Sequence, residues 1–350
     1  MKGIILHGGH GTRLRPLTYG RPKQLLPIAN KPMSEYGLDA IKKIGIRDIA
    51  IIIGGANSQK VQEYYGDGKK FGVDITYVIQ DEPRGISHAI GLCEEFIGNE
   101  KFVVFLGDNI LFKELSDYAN EFEKSEDAAK ILLCEVSNPT QFGIADISDD
   151  GSIKKIMEKP KNPPTNLAVI GIYFLTSKIF EIIKRLKPSW RNELEITDAL
   201  QQMLESDYRI SYNTITKYWK DTGTIEDIID ANKTILNNSQ QYCNSKIEKS
   251  KITGNVMIEE NVELNDNVSL NGPVIIGENT KIENSIIGPN VSIGKNSKIK
   301  NCNIKNSIIM DNVLIEIDDE LENSIIGHNS KITKKTEKTL ILCEDSKLEL

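Results

Sequence analysis

Glycines, cations and a hydroxyl side chain are concentrated in one stretch near the start of the chain. The segment Gly8–Arg13 contains three glycines, a threonine and an arginine, and Arg15 and Lys23 follow. Glycine lets backbone N–H groups approach an anion closely, and the neighbouring cations offset the charge of the anion. The stretch therefore favours a loop that binds a phosphate chain, although the glycines alone are equally compatible with a structural turn.

This loop differs from the two best-known glycine loops. A P-loop requires a glycine, four residues and then Gly-Lys-Ser/Thr, whereas the dinucleotide-binding fingerprint requires a third glycine three residues after the second. In this chain Leu14 stands where that last glycine would fall. The loop directly follows the apolar run Gly3–Leu6, which has the composition of a buried parallel strand.

Strand-like and helix-like segments alternate after the glycine loop, which is typical of an α/β domain. Asp108 directly follows one apolar strand, and in open parallel sheets ligands collect outside the carboxyl ends of the strands. A turn or helix-capping aspartate is the alternative. The sequence predicts helices over 34–44, 58–65, 85–96, 179–186 and 195–205, and strands over 49–53, 75–79, 102–106, 131–136, 142–147, 153–157, 168–175 and 210–218.

A helix followed by a polar run marks the end of the α/β part. The spacing of Thr224 and Asp227 predicts a capping box at the start of a helix that runs to about Leu236. The polar residues 237–241 follow this helix. We therefore predict a first domain over residues 1–240 and a second over residues 241–350.

Beyond that boundary, apolar residues recur every six positions. One aliphatic series runs from Ile252 to Ile282 and resumes at Ile287 after a slip of one residue. Asparagines occupy many of the positions between, where tight corners tolerate a left-handed backbone. This period predicts a hexapeptide-repeat parallel β-helix, whose coils must stack because no coil can bury its apolar face alone.

Length and composition bound the function classes. A chain of 350 residues can form two domains with a core each, and its net charge of −7 without a dense basic block argues against a nucleic-acid surface. No apolar run approaches the roughly 20 residues of a membrane helix, and no signal-peptide pattern opens the chain, so we expect a cytoplasmic protein. The five scattered cysteines argue against a disulfide framework and a zinc site.

The order and spacing of several motifs resemble those of sugar-1-phosphate nucleotidylyltransferases, most closely the long glucose-1-phosphate thymidylyltransferases. The resemblance implies a Rossmann-like nucleotidyltransferase domain with a mixed sheet, followed by a left-handed parallel β-helix. It also implies the condensation of dTTP and glucose 1-phosphate to dTDP-glucose and pyrophosphate. The matching pieces are Gly-Gly-x-Gly-Thr-Arg-Leu-x-Pro from Gly8, Pro22-Lys23-Gln24, Gln80-Asp81-Glu82-Pro83-x-Gly85, Leu106–Asn109, Phe142-Gly143, Glu158-Lys159-Pro160, Glu193–Asp198 and Trp219–Gly223.

In the implied reaction, an oxygen of the sugar 1-phosphate attacks the α-phosphorus of the triphosphate in line, and pyrophosphate leaves. Because two anions must meet, most of the catalysis should be charge neutralisation and alignment. The resemblance places Arg13 on the departing pyrophosphate, Lys23 near the α-phosphate and Lys159 on the sugar phosphate. Asp108 and Asp221 would share a Mg²⁺ ion, which prefers carboxylate and phosphate oxygens.

The resemblance also implies which residues bind each substrate. Gln80 and Gly85 would contact the pyrimidine, Gln24 would lie along the nucleotide cleft, and Glu158 would hold the sugar hydroxyls. The implied nucleotide-binding set is Gly8, Gly11, Thr12, Arg13, Gln24, Gln80 and Gly85. The implied set for the sugar phosphate is Asn109, Gly143, Glu158, Lys159, Val169 and Glu193.

Three residues, His7, Ser87 and Asn192, depart from the family pattern. His7 replaces a small residue, commonly alanine, beside the ribose, where its imidazole could crowd the nucleotide or contact it. His10 occupies a variable position of the loop, where its cationic form could add a phosphate contact or remain an exposed side chain. Ser87 replaces an alanine and Asn192 a glycine. The nucleotide preference is therefore less fixed than the reaction type.

The sequence is compatible with three other functions. A UTP-dependent sugar-1-phosphate uridylyltransferase would use the same motifs. A bifunctional nucleotidylyl/acetyltransferase is the second alternative, since β-helix domains often bind acyl-CoA, and His328 is the histidine available in a coil. The third, a non-catalytic sensor or assembly protein, has no need for both Asp108 and Asp221. We expect the β-helix to serve assembly of a homo-oligomer or regulation.

Overall fold

The computed structural model describes residues 1–9, 11–55, 57–245 and 251–334. His10, for which a phosphate contact was an option, and Cys343 lie outside the described residues. The chain divides into two compact units, Met1–Ala231 and Asn232–Leu350. Each unit encloses its own hydrophobic core.

The first unit is built on a mixed β-sheet, as expected. Its strands are β1 Lys2–His7, β2 Pro27–Ile28, β3 Lys31–Pro32, β4 Asp48–Ile53, β5 Asp74–Ile79, β6 Phe102–Leu106, β7 Asn109–Leu111, β8 Ala129–Glu135, β9 Gly143–Ile147, β10 Ile153–Glu158, β11 Leu167–Leu175, β12 Ile210–Ile215 and β13 Trp219–Asp221. In the described part of the chain, nine of them form one sheet in the order β10-β9-β11-β6-β1-β4-β5, with β8 joined to β11 and β12 joined to β8. Strands β6, β1, β4 and β5 are parallel, whereas β11 runs antiparallel to β6, β8 and β9.

Helices cover both faces of this sheet. Side chains alternate between the faces along a strand, so Ile4 of β1 enters one core cluster and Ile5 enters the other. These helices are α1 Met33–Lys43, α2 Gln59–Tyr65, α3 Ile86–Gly91, α4 Glu94–Ile97, α5 Ser116–Lys124, α6 Lys178–Arg185 and α7 Ile196–Glu205. The last helix, α8 Ile225–Asn238, begins in the first unit and ends in the second. The Rossmann-like α/β architecture predicted from the sequence is confirmed.

Three details of the predicted elements differ from the structure. The helix predicted over 85–96 is two helices, α3 and α4, separated at Leu92 and Cys93. The strand predicted over 210–218 ends at Ile215, and the next strand, β13, belongs to a separate pair with β7. Helix α5 was missed, although its buried residues Tyr118, Ala119 and Phe122 have helical spacing. By contrast, the capping box is present, because Thr224 N donates to Asp227 Oδ2 and Asp227 N donates to Thr224 Oγ1.

The second unit consists of short parallel strands, as expected for a stacked β-helix. Val256 pairs with Val274, which pairs with Val291, so that each coil places its aliphatic residues on those of the previous coil. The strands are β14 Tyr242–Cys243, β15 Lys251–Thr253, β16 Val256–Ile258, β17 Glu263–Asn265, β18 Ser269–Asn271, β19 Val274–Ile276, β20 Lys281–Glu283, β21 Ile286–Ile287, β22 Val291–Ile293, β23 Lys298–Lys305, β24 Ile308–Ile309, β25 Leu314–Glu322, β26 Ile325–Ile326 and β27 Lys331–Thr333.

Asparagines form a ladder along one corner of these coils. Asn261, Asn279, Asn296, Asn312 and Asn329 all have φ between 55° and 61°. Each of the first four donates its side-chain amide to the next at 3.1–3.3 Å. The sequence separation along the ladder is 18 residues at the first step and 17 at the second, which is the slip expected from the sequence. Asparagine suits this corner because it tolerates a left-handed backbone and bonds to its own copies.

Cysteine pairing and membrane crossing were both expected to be absent. Cys93, Cys134, Cys243 and Cys302 are free thiols, and burial raises the pKa of Cys93 to about 12. In the part of the chain that the structure describes, no helix is long and apolar enough to cross a membrane. The cytoplasmic location stays a prediction.

Candidate active site

The loop after β1 takes a shape that its glycines permit. Gly9 and Gly11 have φ values of 87° and 57°, in the left-handed region that glycine adopts at little cost. Thr18 Oγ1 donates to Gly11 O at 2.8 Å and holds the turn closed. Since β1 is parallel to its neighbour β6, the glycine loop and Asp108 emerge at the same edge of the sheet.

A cavity of about 210 Å³ opens beside this loop, and we call it the glycine-loop cavity. It brings together Gly8, Lys23 and Gln80 of the predicted residues, and Gln24 lies against it, since Gln24 Nε2 donates to Gly8 O at 2.7 Å. Among the described residues, its lining consists of His7, Gly8, Gly9, Arg15, Thr18, Tyr19, Arg21, Pro22, Lys23, Gly54, Gly55, Asn57, Gln80 and Pro83.

The other predicted nucleotide-binding residues lie outside that lining. Gly85 has a φ of 104°, and a Cβ atom there would meet the backbone of Leu194, so its role in the fold is close packing. Gly11 packs against Thr18 and Lys23 in the same way. Thr12 and Arg13 are exposed.

Lys23 and Asp108 form a close ion pair between the glycine loop and the end of β6. The Lys23 ammonium donates to Asp108 Oδ2, and Asn109 Nδ2 donates to Oδ1 of the same carboxylate at 3.1 Å. Burial raises the pKa of Asp108, but Lys23 outweighs it and holds this pKa below its usual value. In return, although burial opposes it, Asp108 raises the pKa of Lys23. Both groups are therefore charged at neutral pH.

The strand pair β7 and β13 places a second carboxylate beside Asp108. Asp221 pairs in register with Asn109, the residue after Asp108. Thr222 fastens the two segments, since its backbone N and its Oγ1 donate to Asp108 O at 3.1 and 2.6 Å. Because β13 lies more than a hundred residues after β7, this contact could not be read from local sequence.

Asp221 carries an electrostatic penalty in this position. Burial and then the charge of Asp108 raise its pKa to about 6, from an ordinary value of 3.8. Two buried carboxylates and a nearby lysine cannot balance each other fully, whereas a divalent cation between the carboxylates would.

The donor set fits a magnesium-like ion. Mg²⁺ is held by one or two carboxylates together with substrate phosphates rather than by a cage of protein ligands. Within the described residues, no cluster of three or more histidine, cysteine, aspartate or glutamate side chains could hold a metal alone. Asp108 and Asp221 thus suit a cation that arrives with, or is completed by, a phosphate.

A second cavity, which we call the acidic cavity, lies next to this carboxylate pair and has a volume of about 220 Å³. The structure brings together here both aspartates and all six residues that the resemblance implied for the sugar phosphate. The described residues that line it are Ile86, Leu106, Asp108, Asn109, Gln141, Phe142, Gly143, Glu158, Lys159, Val169, Gly171, Tyr173, Arg191, Glu193, Glu195, Ile196, Thr197, Trp219 and Asp221.

Arg191 holds the carboxylates of the acidic cavity. Its Nη1 donates to Glu158 Oε1 and Glu195 Oε1, both at 3.3 Å, and its Nη2 donates to Glu193 Oε1 at 3.1 Å. Burial, followed by the charge of Glu195, raises the pKa of Glu158. Glu195 is 3% exposed, so it is not a solvated surface residue. One cation therefore organises three acceptors around the cavity.

Lys159 has an unusual backbone for a lysine. Its φ is 41°, in the left-handed region where a side chain is strained, and its N donates to Phe142 O at 3.1 Å. Its Nζ lies 3.7 Å from Glu158 Oε1, so the ammonium stays inside the cavity. Backbone strain of this kind persists only where the surrounding structure holds it, and it clusters at active sites and ligand-binding positions.

Trp219 orients the amide of Asn109. Its Nε1 donates to Asn109 Oδ1 at 2.7 Å, while the Nδ2 of the same amide donates to Asp108. These two bonds fix which end of the amide carries oxygen and leave one N–H of Asn109 for a ligand. Phe142 packs edge-on against the indole, with ring centroids 5.6 Å apart.

Arg13 lines a third cavity, of about 590 Å³, together with Lys159, Lys220 and Asp221. We call it the Arg13 cavity. Arg13 and Asp221 lie close to each other, since a Cβ atom built at Gly223 would lie 3.6 Å from Arg13 Nη1 and 3.8 Å from Asp221 Oδ2. Arg13 therefore faces away from the glycine-loop cavity and towards the carboxylate pair.

His7 is buried at the end of β1. It is 4% exposed, and neither ring nitrogen has a hydrogen-bond partner among the described residues. Burial lowers its pKa to about 3, so the imidazole is neutral. The ring packs edge-on against Tyr65 at 5.8 Å, and the residue also lines the glycine-loop cavity.

The other two departures from the family pattern have a structural account. Asn192 has a φ of 60°, a conformation that asparagine tolerates in place of glycine. Ser87 Oγ is buried and donates to Glu195 O at 2.9 Å, which ties α3 to the segment that carries the acidic residues.

Sequence reasoning missed several residues of the site. Arg191, Glu195 and Thr197 lie in or beside the Glu193–Asp198 motif, so proximity to that motif was the available signal. Tyr173 gave none; it is buried in the acidic cavity, and its pKa is raised by burial and then by Glu158 and Asp108. Trp219 stood inside a motif, but its bond to Asn109 joins residues far apart in the chain.

Both parts of the chain match models of known protein families. Residues 2–238 match the model of the nucleotidyl transferase family, and residues 270–349 match the GMPPB C-terminal domain. The chain is 39% identical to the low-salt glycan biosynthesis nucleotidyltransferase Agl11 of Haloferax volcanii, with all of both chains covered. It is 38% identical to a glucose-1-phosphate thymidylyltransferase of Streptomyces antibioticus, covering all of this chain and 99% of the other.

Two further similarities bear on the function. The bifunctional protein GlmU of Methanococcus maripaludis is 35% identical over 94% of this chain and 78% of its own length. A crystal structure described as a glucose-1-phosphate thymidylyltransferase from Bacillus anthracis, in complex with sucrose, superimposes with a TM-score of 0.64 at 44% identity. It covers 67% of this chain and 94% of that one.

Proposed function

The chain belongs to the nucleotidyl transferase family and is a sugar-1-phosphate nucleotidyltransferase, and we propose that it is a glucose-1-phosphate thymidylyltransferase. It would condense dTTP and glucose 1-phosphate to dTDP-glucose and pyrophosphate. One observation carries this proposal: Lys23 lines the glycine-loop cavity, Asp108 lines the acidic cavity, and the two side chains are paired. A nucleotide in the first cavity and a sugar phosphate in the second would thus meet at this pair.

The glycine-loop cavity suits a nucleoside triphosphate. Gly8 and Gly9 expose backbone beside Lys23 and Arg15, which gives the phosphates N–H donors and cations. Gln80 lies on the same cavity and presents a carboxamide to the base. Lys23 would neutralise the α-phosphate, and Arg13, on the side of Asp221, would bind the departing pyrophosphate.

The acidic cavity suits a sugar 1-phosphate. Glu158, Glu193 and the amide of Asn109 offer hydrogen-bond partners to hydroxyl groups, while Lys159 and Arg191 offer charge to the phosphate. Gly143 and Val169 line the cavity without polar side chains and leave room for the sugar ring. Holding both anions in one orientation supplies the alignment that in-line attack requires.

Asp108 and Asp221 would hold Mg²⁺, which would neutralise phosphate charge when bound. Side chains of this protein would keep the proposed ligands ionised and in position. Lys23 keeps Asp108 ionised, Thr222 fastens the segment of Asp221 to that of Asp108, and Trp219 holds Asn109 in one orientation.

The repeat unit is proposed to assemble subunits. We assign residues 1–240 to the catalytic domain and residues 241–350 to a left-handed β-helix domain that holds a homo-oligomer together. The stacked parallel strands and the asparagine ladder support a rigid, regular body of this kind.

UTP is the alternative nucleotide. Thymine and uracil share the edge that a carboxamide such as Gln80 would pair with, so the cavity admits both. A bifunctional nucleotidylyl/acetyltransferase is a second candidate, favoured by the similarity to GlmU over 94% of this chain. Incubation with acetyl-CoA and an amino-sugar phosphate tests that candidate, since release of free CoA would establish it.

Pyrophosphate release tests the proposal directly. The full chain is incubated with Mg²⁺ and glucose 1-phosphate, and dTTP, UTP, GTP and ATP are compared, with Asp108→Asn as the control. We expect release with dTTP that is lost in the variant. Preference for UTP or GTP would overturn the base assignment, and no release with any nucleotide would overturn the proposed reaction.

A further inference from the structure

Gln80 is held by a histidine from a neighbouring helix. Gln80 follows β5 and is 6% exposed, and its backbone N donates to Ile53 O at 2.8 Å. Its side-chain Nε2 lies 2.9 Å from His88 Nδ1, on α3. His88 does not line the glycine-loop cavity, so it can reach a nucleotide there through Gln80 alone among the described contacts.

The contact with His88 restricts which hydrogen-bonding groups of Gln80 remain available to a ligand. A carboxamide has two N–H donors and one carbonyl acceptor. If Nδ1 of His88 accepts one N–H, the other N–H and Oε1 remain on the far face of the amide. Oε1 points towards the glycine loop, since it lies 3.9 Å from where a Cβ atom of Gly8 would be. One adjacent acceptor and donor thus face the cavity in a fixed order.

We propose that His88 is a positioning residue that fixes the amide of Gln80, and that this selects bases with adjacent N–H and C=O groups. Thymine and uracil present such an edge, with N3–H opposite Oε1 and a ring carbonyl opposite the remaining N–H. Cytosine presents a lone pair at N3, so it would meet Oε1 acceptor to acceptor. The inference rests on the proposed function, because it assumes that a base occupies this cavity.

The proposal requires His88 to be neutral with its proton on Nε2. Burial, followed by the charge of Arg84, lowers the pKa of His88, while Asp81 and Glu82 act in the opposite direction. Protonation at low pH would turn Nδ1 into a donor, and the amide of Gln80 would have to rotate to offer Oε1 to it. The rotated amide would then complement a base that carries an NH₂ group in place of the carbonyl.

Two variants of His88 separate positioning from packing. His88→Asn places Oδ1 where Nδ1 was, so it keeps an acceptor for Gln80 but cannot titrate. His88→Leu has a similar bulk and no acceptor. The readouts are the Kd for dTTP, and KM and kcat with dTTP and with dCTP, all on the full chain with Mg²⁺ and glucose 1-phosphate.

For His88→Leu we expect Kd and KM for dTTP to rise about 5- to 10-fold with kcat nearly unchanged, the size of one lost hydrogen bond. Discrimination between dTTP and dCTP should fall by a similar factor. His88→Asn should keep the wild-type values at neutral pH. We expect the KM of the wild type for dTTP to increase at acid pH, and that of His88→Asn to lack this increase.

An unchanged KM for dTTP in His88→Leu, or equal losses in both variants, would overturn the inference. Failure of the proposed function has a different outcome. If the wild-type protein binds dTTP but releases no pyrophosphate, the reaction is wrong, and the Kd values still decide the role of His88. If it binds no pyrimidine nucleotide at all, both proposals are overturned.

Discussion

The two units differ in how regularly their buried polar groups are paired: the second unit repeats its hydrogen bonds from coil to coil, with Asn255 Oδ1 as an exception that has no partner among the described residues. In the second unit, the buried hydroxyls of Thr280, Ser285 and Ser297 each donate to a backbone carbonyl at 2.8–3.4 Å, and the pattern repeats from coil to coil. In the first unit, His7 has no hydrogen-bond partner within the described residues, and Asp221 is held beside another carboxylate. Buried polar groups that have hydrogen-bond partners stabilise a fold. Buried polar groups without partners lower its stability unless a bound ligand supplies the missing hydrogen bond or charge.

This difference indicates whether substitutions in each unit affect mainly activity or mainly stability. When a hydrogen bond of the second unit is lost in one coil, the equivalent bond in the next coil remains. The polar contacts of the second unit are therefore redundant. In the first unit each contact occurs once, and several join distant segments, such as Lys23 with Asp108 and Trp219 with Asn109. We therefore expect substitutions in the first unit to change activity more than stability, and those in the second to do the reverse.

The largest expected effect is that of Asp221→Asn. It removes a proposed metal ligand, so pyrophosphate release should fall about 10²- to 10³-fold, as for other single electrostatic groups of an active site. Stability should move the other way. The pKa of Asp221 is raised to about 6 in the folded state, so at neutral pH its ionisation opposes folding, and a neutral amide removes that opposition.

Activity and the melting temperature at neutral pH are measured on the same samples. The control is Asp149→Asn at an exposed position, which should change neither quantity. A melting temperature of Asp221→Asn well below that of the wild type would contradict the contrast between the units, because the carboxylate would then stabilise the fold that it is expected to strain.

The second effect concerns the core of the repeat unit. Ile276 is fully buried and stacks between Ile258 and Ile293 on neighbouring coils. Ile276→Ala should lower the free energy of unfolding by about 2–5 kcal/mol, because it removes buried methyl groups and leaves a cavity. Urea unfolding of the full chain measures this, and Ile286→Ala is the matched control, since Ile286 is 42% exposed. Equal losses in both variants would show that burial does not account for the stability of these coils.

The sequence predicts the structure of the second unit more completely than that of the first, because only the second unit has a local repeat that sets its register. The repeats carry their register in a local period, so the six-residue spacing and the slip before Ile287 were enough to predict stacked parallel strands. In the first unit, apolar runs gave most strands and helices, but the helix over 85–96 was taken as one, because local spacing does not show where packing interrupts a helix. Helix α5 was also missed, although Tyr118, Ala119 and Phe122 have helical spacing.

The candidate site was predicted by resemblance to a family more than by chemistry. Motifs named Asp108 and Asp221, and the structure brings them together through β7 and β13, a pairing that no local pattern encodes. Arg191 and His88 were missed because each acts on another side chain, and such contacts depend on the fold. Residues that touch a ligand directly are thus easier to find in a sequence than those that hold them.

A smaller effect is expected for Trp219→Phe. The ring is kept, but the 2.7 Å hydrogen bond from Nε1 to Asn109 Oδ1 is lost, and the amide is free to turn. One neutral hydrogen bond corresponds to about a 5-fold change, which we expect in the KM for glucose 1-phosphate rather than for dTTP. Steady-state kinetics with each substrate varied in turn distinguishes the two. A change confined to the KM for dTTP would contradict the placement of Trp219 beside the sugar phosphate.

The smallest effect tests what asparagine contributes to the repeat unit. Asn279 has a φ of 58°, accepts a bond from Asn261 and donates one to Asn296, both at 3.1 Å. Asn279→Gly keeps the left-handed backbone and loses both side-chain bonds, whereas Asn279→Ala loses the bonds and adds backbone strain. Because these bonds are exposed, strain should dominate, and urea unfolding should place the alanine variant about 1 kcal/mol below the glycine variant. If both variants lose the same free energy of unfolding, the hydrogen bonds of the ladder stabilise the coils, and the tolerance of asparagine for a left-handed backbone does not. The repeat unit would then depend on individual polar contacts, as the active site does.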